Sequence, residues 1–240
     1  MINENINGDC FDILPKIESN SINLILTDPP FNISRKSNYH KHSNNIKFNK
    51  ISIDFGYWDK DIDFDILFEH YYRVLKPGGT LILFYDIWKC NIIKEIASKY
   101  KFKQHRICQW VKSNPVPINS KKNYLSNGIE FFFSFIKDKN PIFNSQYDNG
   151  VYTFPICHGK ERTEHPTQKP LSLIRELILK HTNENDIVLD TFSGSATTSI
   201  ACIETKRNYI SIEKDETYYN VSYKRLKATR NNDINKKLTT

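Results

Sequence analysis

The sequence predicts an α/β fold built on a largely parallel sheet, and three patterns support this prediction. Apolar runs of strand length alternate with segments of helical period along most of the chain. A strong helix breaker, Lys-Pro-Gly-Gly at 76–79, separates one such helix from the next apolar run. Two polar loops follow apolar runs directly, at 28–31 and 190–198. Because open α/β sheets bind ligands beyond the carboxyl ends of their strands, these two loops are the predicted functional sites.

The individual elements follow from this alternation in chain order. Strands are expected at 22–26, 80–85, 104–111, 128–136, 186–189 and 208–212. Helices are expected at 64–75, 87–99, 170–181, 195–205 and 215–227. Residues 1–228 are expected to form a single domain, with long insertions near 33–53 and 115–164 and a basic, disordered tail at 229–240.

Composition disfavours membrane, secreted and metal-binding classes. No apolar run approaches the roughly 20 residues that span a bilayer. The first residues are polar and Asn-rich, unlike a signal peptide. The 5 cysteines form no Cys-x-x-Cys pair, which disfavours a zinc ribbon and a disulfide framework. We therefore expect no membrane partner, no metal site and a cytoplasmic location.

The formal net charge of +7 is distributed unevenly along the chain. Two windows, 35–50 and 99–124, contain no acid and together carry +12, so the rest of the chain carries −5. Such segregation suits a surface that follows a phosphate backbone. A solvated lysine-rich loop explains each window equally well, so the charge alone names no partner.

The first polar loop, Asp28-Pro29-Pro30-Phe31, joins a carboxylate to a rigid backbone. Its prolines remove two N–H donors and fix the chain, so the carbonyl groups remain available as acceptors. A carboxylate and a carbonyl can accept both hydrogens of an NH₂ group on a planar ring, and Phe31 can stack on that ring. A plain turn with a buried Phe explains the same four residues, so both interpretations stay open at this point.

The second polar loop, Asp-Thr-Phe-Ser-Gly-Ser-Ala-Thr-Thr at 190–198, opens a predicted helix. Its small residues allow a ligand to approach the backbone and the helix N-terminus. Glu213 ends the next strand, where doubly wound folds place a carboxylate on ribose hydroxyls. The loop lacks G-x-G-x-x-G, since Gly194 is its only glycine. These features favour a nucleotide-like ligand without a pyrophosphate, and a simple packing loop is the alternative.

Together these segments resemble the amino-group DNA methyltransferases that use S-adenosylmethionine, in the beta order with the catalytic motif first and the cofactor motif last. The resemblance covers most of the chain. The matching segments are Ile-Asn-Gly-Asp-Cys at 6–10, Asp-Pro-Pro-Phe at 28–31, Leu-Lys-Pro-Gly-Gly at 75–79, Trp-Val-Lys-Ser-Asn-Pro at 110–115, His-Pro-Thr-Gln-Lys-Pro at 165–170, and 190–198 followed by Glu213. Each is a weak signal alone, whereas all of them in this order are specific.

The resemblance implies a Rossmann-like class I methyltransferase fold with helices on both faces of the sheet, and S-adenosyl-L-methionine as the cofactor. The implied catalytic residues are Asp28, Pro29, Pro30 and Phe31. The implied cofactor-binding residues are Asp9, Cys10, His165, Thr167, Gln168, Lys169, Asp190, Phe192, Ser193, Gly194, Ser195, Thr197 and Glu213. The implied partner is double-stranded DNA. The basic windows and the 110–115 segment supply its expected contacts, which are Arg35, Lys36, Lys41, Lys47, Lys112, Asn114, Lys121 and Lys122.

Two residues depart from the family pattern. Thr191 stands where the family has Pro, and Ala196 stands where it has a second Gly. We expect Thr191 only to loosen the turn, and Ala196 to be harmless if its φ is negative.

The resemblance points to a site-specific DNA methyltransferase that modifies the N6 amino group of adenine by base flipping and direct in-line transfer. Asp at the first motif position is more typical of adenine-N6 than of cytosine-N4 enzymes, which usually have Ser there. A cytosine-N4 enzyme, an RNA or protein-glutamine methyltransferase, and a catalytically idle DNA-binding module are the alternatives. A homodimer, a cognate restriction endonuclease and a bacterial or phage-type cytoplasm are compatible with the family.

Overall fold

A computed structural model of the chain describes residues 1–30, 62–115 and 126–238. Eight strands form one sheet in the order β1-β8-β7-β2-β3-β5-β4-β6. Their bounds are β1 Glu4–Asn7, β2 Ile22–Thr27, β3 Leu75–Phe84, β4 Lys103–Lys112, β5 Ile129–Ile136, β6 Val151–Phe154, β7 Ile187–Asp190 and β8 Asn208–Glu213. Strand β5 pairs antiparallel with β3 and β4, and every other pairing is parallel.

Helices cover both faces of the sheet. They are α1 Cys10–Ile13, α2 Phe64–Val74, α3 Cys90–Lys99, α4 Leu171–His181, α5 Thr197–Glu204 and α6 Glu216–Leu238. Neighbouring strand residues point to opposite faces, so Ile25 of β2 joins the core under α1, α2 and α3, while Leu24 and Leu26 join the core under α4, α5 and α6. Because both faces of the sheet are buried, the sequences of the central strands are continuous apolar runs.

The sheet topology brings the predicted loops to one edge. Parallel strands β1, β8, β7, β2, β3 and β4 all end at the same edge of the sheet. Strand β5 runs the opposite way, so it begins at that edge. The residues that follow β2 and β7 therefore lie beside the start of β5.

The predicted strands and helices are present, with some differences. Strands β1 and β6 and the short helix α1 were not predicted, and the 115–164 stretch adds β6 to the sheet as well as the expected strand β5. Strand β3 begins at Leu75, so it includes the helix breaker. The expected disordered tail is helical through Leu238, because α6 meets neither Gly nor Pro and Arg230 donates hydrogen bonds to the Asn3 carbonyl oxygen and the Tyr209 hydroxyl. No helix in the described part of the chain is long and apolar enough to cross a membrane.

Candidate active site

A cavity of about 1200 Å³ opens at the carboxyl edge of the sheet. Residues after β1, β2, β7 and β8 line it, together with the segment that precedes α4. All of the expected cofactor-binding residues line this one cavity, and so do Asp28, Pro29 and Pro30. These residues are far apart in the sequence, and the parallel strands bring them together at one edge of the sheet.

One end of the cavity is formed where β2 ends, and it contains the expected catalytic residue Asp28. Asp28 directly follows β2, and the rings of Phe84 and Trp110 line the same region. The Trp110 indole N–H donates to the Phe154 carbonyl oxygen at 2.9 Å, which fixes the ring. An aromatic wall beside a carboxylate suits a flat ring that carries a hydrogen-bond donor.

Asp28 is held by one partner and keeps one free oxygen. Its Oδ2 accepts a hydrogen bond from the ammonium of Lys169. Its Oδ1 is buried and has no hydrogen-bond partner within the described residues. Burial raises the pKa of Asp28 to about 6, against the lowering effect of Lys169. The carboxyl is therefore mostly ionised at neutral pH and takes up a proton in mildly acidic solution.

The cofactor end of the cavity is a cradle around Gly194. This residue has a φ of +50°, and a Cβ placed on it would lie 2.7 Å from Nε2 of His165. Only glycine satisfies both the left-handed backbone and the close approach of the imidazole. Burial lowers the pKa of His165 to about 4, so this ring is neutral at physiological pH and adds no charge to the cradle.

Glu213 fixes the shape of the cradle. Its Oε2 accepts the backbone N–H of Gly194 at 2.7 Å, and its Oε1 accepts the N–H of Asp215 at 2.8 Å. One carboxylate at the end of β8 thus ties together the loop after β7 and the start of α6. Each carboxylate oxygen retains a lone pair that a ligand hydroxyl can use.

Two further acids border the cradle. Asp9 caps α1 by accepting the N–H of Phe11 at 3.0 Å, and its Oδ2 lies 2.7 Å from Nζ of Lys214. Burial raises the pKa of Asp190 to about 7. Burial also raises the pKa of the Cys10 thiol to about 12, so this cysteine is not a nucleophile at neutral pH.

The expectation for Ala196 is corrected by its backbone. Its φ is +61° rather than negative, and the residue is fully buried. A left-handed conformation costs an alanine about 1–2 kcal/mol. Burial of the methyl group, worth about 0.8 kcal/mol, offsets part of this strain. The backbone at Ala196 therefore has the left-handed conformation that glycine favours, although the residue is alanine.

The expectation for Thr191 is also corrected, because this residue does more than loosen a turn. Its hydroxyl oxygen lies 3.0 Å from the Thr27 hydroxyl and 2.6 Å from the Tyr71 hydroxyl. Thr191 and Tyr71 are almost completely buried. The three hydroxyls connect β2, α2 and the loop after β7, which joins the catalytic loop to the cofactor cradle. A proline at this position could not make these hydrogen bonds.

We expect Thr191→Val to lower the free energy of unfolding by about 1–3 kcal/mol, because it leaves buried hydroxyls without partners. Valine has nearly the same shape, so packing changes little. Urea denaturation of both proteins measures the difference. Thr163→Val, which removes a hydroxyl from a partly exposed loop, is the matched control, and an equal loss in both variants would contradict the special role of the cluster.

The two predicted DNA-contacting residues within the described part of the chain differ in exposure. Lys112 lines the cavity with a side chain only 11% exposed, and its Nζ lies 2.8 Å from Oε1 of Glu130. Asn114 is exposed, and its side-chain oxygen accepts the N–H of Ile156 at 2.8 Å. Lys169, expected to bind the cofactor, lines the cavity and also contacts Asp28. The remaining expectations lie outside the described residues, and these are Phe31, Arg35, Lys36, Lys41, Lys47, Lys121 and Lys122.

Several residues that line or support the cavity were not predicted from the sequence. Glu130 enters it from the start of β5, and the Tyr218 ring lies 4.5 Å from the His165 ring, centre to centre. Arg225 of α6 donates to the Ser195 carbonyl oxygen at 2.5 Å and thereby supports the cradle. No local motif marks these residues, since each depends on a contact between distant segments.

A Rossmann-like sheet, a cradle after β7 and an acidic Asp-Pro-Pro loop after β2 define a class I methyltransferase. The chain belongs to the N6_N4_Mtase family of DNA methylases, whose model matches residues 22–224. Among curated relatives, the Type II methyltransferase M2.MboI of Moraxella bovis is 32% identical, over 91% of this chain and 85% of its own. The Type II methyltransferase M.HinfI of Haemophilus influenzae is 30% identical, over 97% and 72%.

Solved structures share the fold. The M1.HpyAVI–SAM complex superimposes with a TM-score of 0.70 at 29% identity, covering 93% of this chain and 98% of that one. The cytosine-N4-specific PvuII DNA methyltransferase gives a TM-score of 0.70 at 19% identity, covering 90% and 83%. At 19% identity, the similarity to the PvuII enzyme concerns the fold alone.

Proposed function

We propose that this protein is a site-specific DNA methyltransferase that transfers a methyl group from S-adenosylmethionine to the N6 amino group of adenine. The observation that carries the proposal is Oδ1 of Asp28, which is buried beside the aromatic wall of the cavity and has no hydrogen-bond partner among the described residues. The Asp form of the motif supports adenine. A cytosine-N4 enzyme is the alternative.

The cradle fits S-adenosylmethionine chemically. The compact turn at Gly194 admits a ligand to the backbone, and Glu213 offers carboxylate oxygens to ribose hydroxyls. Asp9, Asp190 and Glu213 give this end of the cavity acidic character, which complements a positively charged sulfonium. When bound, the cofactor supplies an electrophilic methyl group. We propose that twelve of the thirteen expected cofactor residues form its site, while Lys169 contacts Asp28.

Asp28 and its loop activate the target in this proposal. The amino nitrogen of adenine is a weak nucleophile, since its lone pair is delocalised into the ring. The Asp28 carboxylate and the Pro29 carbonyl accept the two amino hydrogens, which concentrates the lone pair on nitrogen. The target base must leave the double helix to reach this position, and Phe31 and the cavity aromatics provide stacking surfaces.

Double-stranded DNA is the proposed substrate, and the basic windows are its proposed contacts. Residues Arg35, Lys36, Lys41 and Lys47 follow the catalytic loop in sequence, and Lys121 and Lys122 follow the segment that ends near Asn114. The chain that follows the catalytic loop and the chain that follows β4 both leave the edge of the sheet at which Asp28 lies, so their basic residues can reach a phosphate backbone near a flipped base. A homodimer and a cognate restriction endonuclease are further parts of the proposal. The names of the Type II relatives support the second.

The test is a methylation assay with S-adenosylmethionine labelled in its methyl group. Plasmid DNA, RNA and protein are offered in separate reactions, and labelled DNA is digested to nucleosides for chromatography. We expect label in DNA, as N6-methyladenine. N4-methylcytosine would establish the alternative, whereas label in RNA or protein but not in DNA would refute both. Sequencing of methylated DNA then identifies the recognition site.

A further inference from the structure

Four charged side chains form a continuous row from the catalytic aspartate into the cavity wall. Lys169 contacts Oδ2 of Asp28, and its Nζ also lies 3.4 Å from Oε2 of Glu130. Glu130 in turn lies 2.8 Å from Nζ of Lys112. The charges alternate in sign, so the row is neutral as a whole. We call Asp28, Lys169, Glu130 and Lys112 the charge row.

The charge row is assembled from distant parts of the chain. Asp28 follows β2, Lys169 precedes α4, Glu130 lies at the start of β5 and Lys112 ends β4. The Lys169 side chain is only 8% exposed, and its Nζ also lies 5.1 Å from the centre of the Phe84 ring. A buried ammonium needs charged partners, and removal of one partner leaves an uncompensated charge. The row therefore holds Lys169 in one place.

Electrostatics in the row act in opposite directions on Asp28. Burial raises the pKa of Asp28, the ammonium of Lys169 lowers it, and the carboxylate of Glu130 raises it. Asp190 is a further acid that interacts with Asp28. Burial also raises the pKa of Glu130, but Lys169 and Lys112 outweigh this and keep it below its ordinary value. Glu130 thus stays ionised as a fixed anchor for Lys169.

The geometry also separates the two oxygens of Asp28. Lys169 occupies Oδ2, while Oδ1 is buried without a partner in the described part of the chain. A buried acceptor without a donor is unfavourable, and an incoming N–H group relieves that cost. The hydrogen bond from the Lys169 ammonium to Oδ2 also restricts rotation of the Asp28 carboxylate.

We propose that Lys169 is a positioning residue for Asp28, not a cofactor ligand: it holds Oδ2, so that Oδ1 is the acceptor for the target amino group. The ammonium of Lys169 also keeps the Asp28 carboxylate ionised. Glu130 and Lys112 hold Lys169 in position. This inference rests on the proposed methyltransferase function. It departs from the expectation that Lys169 contacts the methionine part of the cofactor.

The test measures kcat against pH and the cofactor Kd for Lys169→Met. Without the ammonium, two buried carboxylates face each other, so the pKa of Asp28 and the acidic limb of the kcat profile move upward. If the limb moves to about pH 8, about one carboxylate in ten is ionised at about pH 7, which predicts a tenfold loss there. Activity returns at about pH 9, and the cofactor Kd changes less than about twofold.

Lys180→Met is the matched control. Lys180 also binds two carboxylates, Asp148 at 2.6 Å and Glu176 at 2.5 Å, and its Nζ lies 4.5 Å from the centre of the Tyr152 ring. It lies near the far end of α4, about 14 Å along the helix from Leu171, whereas Lys169 precedes the helix. This variant loses the same kind of ion pairs, so we expect reduced stability and an unchanged pH profile.

Glu130→Gln tests the row from its other side. Glutamine keeps the shape and removes one negative charge near Asp28, so the acidic limb moves to lower pH, opposite to Lys169→Met. Glu130→Asp retains the charge and keeps the limb near its wild-type position. The proposal is overturned if the acidic limb of the kcat profile stays at the same pH in both Lys169→Met and Glu130→Gln. It is also overturned if Lys169→Met raises the cofactor Kd. Wild-type protein that methylates no DNA refutes the proposed function instead.

Discussion

Asp28→Ala is expected to reduce methyl transfer by about 1,000-fold or more while leaving cofactor binding nearly unchanged. The substitution removes the acceptor that draws the lone pair of the target nitrogen out of the ring. It does not touch the cradle, which is built by the loop after β7 and by Glu213. Single-turnover methylation and cofactor titration on the same sample measure the two effects separately.

Asp86→Ala is the matched control for this experiment. Asp86 also follows a strand, β3, but it caps the next turn by accepting the N–H of Trp88 at 3.0 Å. Loss of such a cap costs about 0.5–2 kcal/mol of stability. We expect kcat to stay within about threefold of wild type. Near-wild-type turnover by Asp28→Ala would refute the proposed mechanism.

Glu213→Ala is expected to raise the cofactor Kd by about 10- to 150-fold, equivalent to about 1.5–3 kcal/mol for hydrogen bonds to a charged group. Two effects add in the same direction. The ribose hydroxyls lose their proposed acceptor, and the N–H groups of Gly194 and Asp215 lose the carboxylate that orients them. Isothermal titration with S-adenosylmethionine measures the change.

Saturating cofactor should restore most of the turnover of Glu213→Ala, because the Asp28 loop remains intact. Glu204→Ala, which removes an exposed acid 3.7 Å from Nη1 of Arg175 at the end of α5, serves as the control. It should leave the Kd unchanged, since exposed ion pairs contribute little. An unchanged Kd in Glu213→Ala would remove this residue from the cofactor site.

The layout of the sheet was predictable because its signals are local. Strand β2 is a continuous apolar run that ends at a polar loop, and β7 is another, so the ends of both strands could be located from sequence. The parallel arrangement then implied that Asp28 and the 190–198 loop share one edge. Strand β7 has only four residues, like β1 and β6, but it is a buried apolar run. Strands β1 and β6 were not predicted because both are partly exposed and neither is a continuous apolar run.

The charge row could not be predicted for a different reason. Glu130 and Lys169 lie in separate segments, and neither carries a local signal for the other. The motif that contains Lys169 indicated proximity to the site but not its partner. Similarly, comparison with the family identified Ala196 and Thr191 as departures, but the sign of a φ angle and the partners of a buried hydroxyl depend on tertiary structure.

The pairing of β1 with β8 has a consequence for folding during synthesis on the ribosome. Glu4 lies beside Ile210 in the sheet, so β1 cannot pair with β8 until the chain up to β8 has been synthesised. The cradle also depends on Arg225, which reaches back to Ser195. Contacts between such distant segments form late and slow folding. A nascent chain that already contains the Asp28 loop therefore has no completed cofactor cradle until residues up to Arg225 have emerged.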